Sequence, residues 1–231
     1  MLEEGATFLD IGGMSSRPGA KIVSVSEELD RVIPAIVALH KHYPDAVLSI
    51  DTLRAKVAAQ ALDTGVDIVN DISAGTFDKK MIPTVAKYHV PYVIMHMQGT
   101  PENMQKRPKY GDVVLELIDF FKERISVCHA AGILDCIIDP GFGFGKTVDH
   151  NYELLRNLRA FSILGMPLLI GLSRKSMVTR VLSVKPDAAL NGSTVLHTLA
   201  LLNGAQILRV HDVKAAIEAI RLVDYYQSAG A

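Results

Sequence analysis

Three observations in the sequence predict an α/β fold of the TIM-type (β/α)8 barrel kind. Short apolar runs alternate with amphipathic stretches along the whole chain, the pattern of parallel strands joined by helical crossovers. Nearly every apolar run stops on a polar or charged residue: LDIGG, LSIDT, IVNDISAG, VIMHMQG, CIIDPGFGFGK, LLIGLSRKS and ILRVHD. Parallel β/α units place their C-terminal strand ends on one face, so these residues are expected to line a single mouth. An open doubly wound sheet would gather its ligand residues at one switch point, whereas residues spread over all the strands fit a ring. The third observation is the count of seven such ends, one short of a closed eight-stranded barrel. The first strand and most of the first helix are therefore expected to be missing from this chain.

The elements follow in order. MLEEGATFLDIGG reads as a last helical turn, a glycine turn and a strand over 7–11. Helical periodicity over 26–42 includes Pro34, which should kink the helix or move its start. Strand 47–51, helix 54–63, strand 67–72, helix 79–88 and strand 92–96 come next, then helix 112–130 and strand 136–139. The rest reads as helix 150–160, strand 167–171, helices 176–183 and 187–203, strand 207–210 and helix 212–227. At Gly65, Gly132 and Gly165 a glycine ends a helix and the chain turns into a strand. No low-complexity linker interrupts the pattern, so residues 1–231 are expected to form one N-terminally incomplete barrel domain.

Composition excludes several classes. With 49% apolar and 21% charged residues the chain is no disordered protein. A formal net charge of -1 gives no general attraction to nucleic acid or to an acidic membrane, though a local basic cluster can still hold a small anion. No apolar run reaches the roughly 18–20 residues of a membrane span, and the acidic start is no targeting signal, so a cytoplasmic protein is expected. Cys128 and Cys136 read as buried free thiols rather than a disulfide framework.

The chemistry concentrates at the strand ends. Asp10, Asp51, Asn70 or Asp71, and Asp139 bring acidic and amide groups to one mouth, where they suit a metal or a heterocycle rich in N–H donors. One such residue alone would as readily cap a helix; several on different strands point to a site. Asn70 and Asp71 face opposite ways, so only one enters the pocket. Zinc finds no ligand spacing among His96, His197, His211 and the cysteines, whereas magnesium needs only one or two carboxylates with substrate phosphates. Cations collect later: Ser173-Arg174-Lys175-Ser176 opens a helix, and Arg209 and His211 share one strand face, together forming a phosphate cradle. DPGFGFGK lacks both P-loop and dinucleotide spacing; Gly141, Gly143 and Gly145 should let the backbone approach a ligand, with Phe142 or Phe144 as an apolar wall. SSRPG is either a surface turn or a flap presenting Arg17 to an anion, and Met95 and Met97 should point away from His96, whose role is as readily structural as chemical.

Taken in order, DIGG…SSRPG, SIDT, VNDISAG, MHMQGTP, DPGFGFGK, GLSRKS and RVHDV closely resemble the dihydropteroate synthase family over essentially the whole chain. The resemblance implies an enzyme that joins 6-hydroxymethyl-7,8-dihydropterin diphosphate to 4-aminobenzoate with magnesium, works as a homodimer and is inhibited by sulfonamides. Carried over by motif, Asp51, Asn70, Ile72, Met95, Asp139, Phe144, Gly171 and Lys175 bind the pterin, and Arg209 and His211 the diphosphate. Arg17, Pro18, Ser173 and Lys175 meet 4-aminobenzoate, while Asp139, Asp51, Lys175, Arg209 and His211 carry the chemistry. Met14 and Ser16 stand where the family's loop has Glu and Thr. The family's magnesium ligand is expected in the N-terminal loop that this sequence lacks. A corrinoid-linked methyltetrahydrofolate methyltransferase shares the barrel, but its substrate has no diphosphate for RVHDV to hold; a catalytically silent pterin binder is the other alternative.

Overall fold

The computed structural model describes residues 1–15, 19, 23–100 and 103–229. Its strands are β1 (Phe8–Gly12), β2 (Val47–Asp51), β3 (Ile68–Asp71), β4 (Tyr92–Met95), β5 (Cys136–Asp139), β6 (Leu169–Ile170) and β7 (Ile207–Leu208). Every pairing is parallel and sequential, from β1–β2 through β4–β5 and then β6–β7. A bridge between Ile138 and Leu168 carries the sheet from β5 toward β6. Among the described residues the strand order never reverses and shows no switch point, and the α/β fold is that of a parallel barrel rather than a doubly wound sheet.

The helices are α1 (Val25–His42), α2 (Ala55–Asp63), α3 (Met81–Tyr88), α4 (Val113–Ala130), α5 (Val148–Arg156), α6 (Ser176–Leu182), α7 (Leu190–Leu202) and α8 (Val213–Ser228). Local chemistry sets their starts. Ser24 accepts the Glu27 N–H at α1, Asp112 accepts two N–H groups at α4, and Thr147 and His150 form a reciprocal capping box at α5. Gly65, at φ 109°, makes the predicted turn from α2 into β3. Pro34 lies inside α1 and does not move its start. The helix expected over 150–160 ends at Arg156 and gives way to a 3-10 turn, Leu158–Leu164; Pro186 likewise opens a 3-10 turn before α7. The last two strands are shorter than expected because β6 and β7 pair over two residues each, and one bridge joins β6 to β5. No helix among the described residues is long and apolar enough to cross a membrane.

Alternation along the strands builds two layers. Leu48, Ile50, Val69, Tyr92, Ile94, Ile138 and Ile170 point outward into the main core beneath the helices. Phe8, Ile68, Val93, Ile137, Leu169 and Ile207, from six different strands, meet in a separate cluster, which only inward-facing residues of a curled sheet can do. Two positions further along each of those strands stand Asp10, Asn70, Met95, Asp139, Gly171 and Arg209, and Asp51 follows buried Ser49 by the same step. A period of two therefore lifts every one of these residues to the inner face, one layer above an apolar plug.

One support was not anticipated from the sequence. Glu28 on α1 is fully buried; it accepts from Thr52 Oγ1 at 2.6 Å and is paired with Arg54, which also donates to the Val23 carbonyl. This pair ties α1 to the segment immediately after Asp51.

Candidate active site

The acceptor side of the mouth is built by strand register. Gly12 lies beside Asp51, Asp51 beside Asn70, and Met95 beside Asp139, so the ends of β1 to β5 stop at one level. Asn70 takes the inner position and donates from Nδ2 to Asp10 Oδ2 at 2.9 Å. Asp71 turns outward, fully buried, and accepts from Ser73 N, Ser73 Oγ, Gly75 N and Tyr92 OH, each at 2.7 Å. It orders the NDISAG loop and takes no part in the mouth. Asp139 is buried and its Oδ1 accepts the Gly141 N–H at 2.8 Å; burial raises its carboxyl above the usual range, and the Lys175 charge pulls it back.

The cations face these acceptors. Arg209, one residue beyond β7, donates from Nε to Asp10 at 2.6 Å and from Nη2 to Asp51 at 3.0 Å. Lys175 Nζ donates to the Phe142 carbonyl at 2.6 Å and sits 4.7 Å from the centre of the Phe144 ring; burial lowers its pKa to about 8, with Asp139 opposing. Gly171 lies between the two cations, where an added Cβ would meet Lys175 Nζ at 3.6 Å and Arg209 Cβ at 3.9 Å. His211 is more exposed; its ring Nδ1 lies 3.1 Å from Ser173 Oγ, and its backbone N–H donates to the same hydroxyl at 3.3 Å. Arg174 leaves the expected cradle: its guanidinium donates twice to Asp212, at 2.9 and 2.6 Å. The basic run thus splits, because Arg174 finds a carboxylate at the start of α8 while Lys175 turns inward.

An apolar floor closes the layer between. Leu53, Ile72 and Met95 form a buried cluster with Met14, Met97 and Phe144 against it. Met95 and Met97 do share a side, and His96 points the other way, its ring edge-on to Phe120 at 4.8 Å. Phe144 is the wall residue of the glycine-rich loop; Phe142 is buried in the main core. Two glycines of that loop, Gly141 and Gly145, are also required by a close backbone approach within the protein. A Cβ on Gly141 would lie 2.1 Å from the His96 carbonyl oxygen, and one on Gly145 2.6 Å from the Gln98 carbonyl oxygen. These two admit a neighbouring loop's backbone, while Gly143 has only the Lys175 side chain beside it, at 3.4 Å. Arg17 and Pro18, expected to form the flap over the second substrate, lie outside the described residues, as does Ser16.

Asp10 is the residue whose weight the sequence understated. It joins Arg209 to Asn70, and among the described residues its Oδ1 is buried without a hydrogen-bond partner. Its charge also acts on Asp51, whose carboxyl is pushed up to about 7 by burial first and Asp10 second, against the pull of Arg209. A folded pKa above the usual carboxylate value means that the folded state holds the proton longer, so stability from this group is present at low pH and is lost as pH rises from about 4 to about 7. Asp10→Asn is expected to move the Asp51 midpoint downward in a carbon-13 carboxylate titration; an unmoved midpoint would show that the two groups are not coupled.

Acidic and amide acceptors facing cations over an apolar floor at the mouth of a parallel barrel fit the pterin-binding barrel enzymes as a class, and the family model described as pterin binding enzyme matches residues 1–211. Dihydropteroate synthase of Escherichia coli strain K12 is 44% identical over 231 residues, covering 99% of this chain and 81% of that protein. The Haemophilus influenzae dihydropteroate synthase is 45% identical over 224 residues, covering 96% of this chain and 81% of that one. Among solved structures, the Yersinia pestis dihydropteroate synthase in complex with a sulfonamide drug superposes with a TM-score of 0.96 at 45% identity, covering 99% of this chain and 83% of that one. The chain belongs to the dihydropteroate synthase family of pterin-binding enzymes.

Proposed function

We propose that this mouth joins 6-hydroxymethyl-7,8-dihydropterin diphosphate to 4-aminobenzoate, giving 7,8-dihydropteroate and pyrophosphate. The observation that carries the reading is the inner layer itself. Asp51, Asn70 and Asp139 offer acceptors to the amino and ring N–H groups of a pterin, and the Leu53–Ile72–Met95 floor with Phe144 receives its flat ring. Arg209 spends two of its N–H groups on Asp10 and Asp51, which fix the guanidinium plane and leave its remaining N–H groups to a diphosphate. His211, held by Ser173, lies beyond it.

In this reading the bond between the pterin methylene carbon and the diphosphate oxygen breaks first. The electron pair leaves with the diphosphate, where Arg209 and His211 stabilise the oxyanion. Asp139, and more distantly Asp51, stabilise the positive charge that develops on the pterin. The arylamine nitrogen then attacks the methylene carbon and loses a proton. No protein nucleophile is needed. Magnesium, when bound, would neutralise charge on the leaving diphosphate, and Asp10 would hold it: its Oδ1 is a buried carboxylate oxygen with no hydrogen-bond partner among the described residues, and magnesium typically takes one or two carboxylates along with phosphate oxygens.

The test is calorimetric and chemical. Pterin diphosphate should bind first and more tightly with magnesium than with EDTA, 4-aminobenzoate should bind only to that complex, a sulfonamide should displace it, and pyrophosphate release should need both substrates. Failure of either substrate to bind sinks the reading, and binding without pyrophosphate release would make the protein a silent binder. A homodimer accompanies this reading. A cleft of about 600 Å³ between α7 and α8 is lined by Leu202, Ala219, Leu222 and Tyr226, and Leu222 and Tyr226 are 71% and 73% exposed. Sedimentation velocity should return a dimer, and a monomer would remove that part.

A further inference from the structure

Lys146, the last residue of DPGFGFGK, is 3% exposed, and it neither reaches the mouth nor meets solvent. Its Nζ lies 3.1 Å from the Gly141 carbonyl oxygen, 3.0 Å from that of Phe144, 3.3 Å from that of His96 and 3.0 Å from His96 Nδ1. All four partners are neutral groups within hydrogen-bond range of one ammonium, whose three hydrogens are therefore shared among them. A buried ammonium is tolerated only where its hydrogens are fully used, and these four acceptors use them. Desolvation pushes its pKa down to about 7, while Asp139 pulls the other way.

What the ammonium gathers is specific. The Gly141 and Phe144 carbonyls are the two ends of one tight loop, and the His96 carbonyl belongs to the loop after β4, against which Gly141 packs without room for a Cβ. Three carbonyl dipoles aimed at one point repel one another unless a cation sits there. Between the two loop ends lie the groups the mouth depends on. The Gly141 N–H holds Asp139 Oδ1, the Phe142 carbonyl holds Lys175 Nζ, and the Phe144 ring lies under Lys175 and against the apolar floor.

We propose that Lys146 is a positioning residue for the pterin subsite: from beneath, its ammonium clamps the Gly141–Phe144 loop to the His96 segment and so sets Asp139, Lys175 and Phe144 in register. The inference rests on the pterin reading above and extends it to a residue that touches no substrate. The clamp acts chiefly on the pterin side: Ser173, His211 and Arg209 are held through other contacts, and Lys175 is the one group it shares with the 4-aminobenzoate side.

The experiment is titration of pterin diphosphate, then of 4-aminobenzoate into the saturated complex, for the wild type, Lys146→Gln and Lys146→Met, with melting temperatures recorded. The expected result is a loss of pterin diphosphate affinity of roughly tenfold or more in Lys146→Met. A smaller loss is expected in Lys146→Gln, which keeps two N–H donors, and in both variants 4-aminobenzoate affinity should fall by less than pterin diphosphate affinity. Equal losses for both substrates, or an unchanged pterin affinity, would overturn the proposal. So would a failure of both variants to fold, which would assign Lys146 to the fold rather than to the subsite. A wild type that binds no pterin diphosphate would instead defeat the functional reading itself, so the two failures are distinguishable.

Discussion

Asp139→Ala is expected to weaken pterin diphosphate binding by about ten- to a hundredfold and to lower turnover with it, while leaving the protein folded. The magnitude follows from removing a charge-assisted acceptor from a desolvated site, an interaction worth about 1.5–3 kcal/mol. The direction of the stability effect differs from that of the activity. Burial raises the Asp139 carboxyl, so the wild type pays for ionising it in the folded state. A group with a raised folded pKa contributes its stability at low pH and loses it as pH rises above the usual carboxylate range. The alanine variant lacks that loss, so its melting temperature relative to the wild type should improve as pH rises. Denaturation curves at several pH values and pterin titration calorimetry measure the two effects on the same protein. Unchanged affinity and turnover would remove Asp139 from the mouth.

Glu28→Ala is expected to be the most destabilising single change outside the apolar core, by about 3–5 kcal/mol in denaturant unfolding, because it leaves the Arg54 guanidinium largely buried without its carboxylate. Glu28 is fully buried and the Arg54 side chain is 12% exposed, so the guanidinium keeps the Val23 carbonyl but has little water to replace the lost carboxylate. Glu28→Gln keeps an acceptor for Thr52 Oγ1 but loses the charge, and should fall between the wild type and the alanine variant. Replacing both partners by apolar residues of similar volume should recover most of the loss, since the desolvation cost of the pair disappears along with its attraction. A Glu28→Ala variant as stable as the wild type would show that the pair is incidental. The pair fastens α1 to the Thr52–Arg54 segment directly after Asp51, so pterin affinity should also decline in the alanine variant.

The strand ends were legible because one short-range rule governs them: apolar alternation followed by a polar residue, repeated at parallel-strand spacing. That rule places Asp51, Asp139, Arg209 and one of Asn70 and Asp71 at one mouth, and the structure brings Asp51, Asp139, Arg209 and Asn70 to the inner face. It did not choose between Asn70 and Asp71, because alternation says only that neighbours differ and not which one faces inward. The choice is made by Tyr92 and the Ser73–Gly75 backbone, which surround Asp71 with donors. The glycines of DPGFGFGK read as permissive, and what Gly141 and Gly145 permit is contact with His96 and Gln98, residues more than forty positions away. Lys146 and Glu28 gave no local signal at all. A lysine after a loop and a glutamate on a helix read as solvated charges until the partners that bury them are known.

By itself, the chain's order of residues determined the parallel β/α architecture, the level at which the strand ends stop and the types of group that line the mouth, because these depend on periodicity and on nearest neighbours. Only the tertiary structure decided how those groups are paired. Arg209 between Asp10 and Asp51, Lys146 among four acceptors and Arg174 drawn away to Asp212 are all long-range choices. The physical reason is that a buried charge is placed by whichever opposite dipole or charge the fold brings within about 3 Å, and that distance is set by strands and loops far apart in sequence.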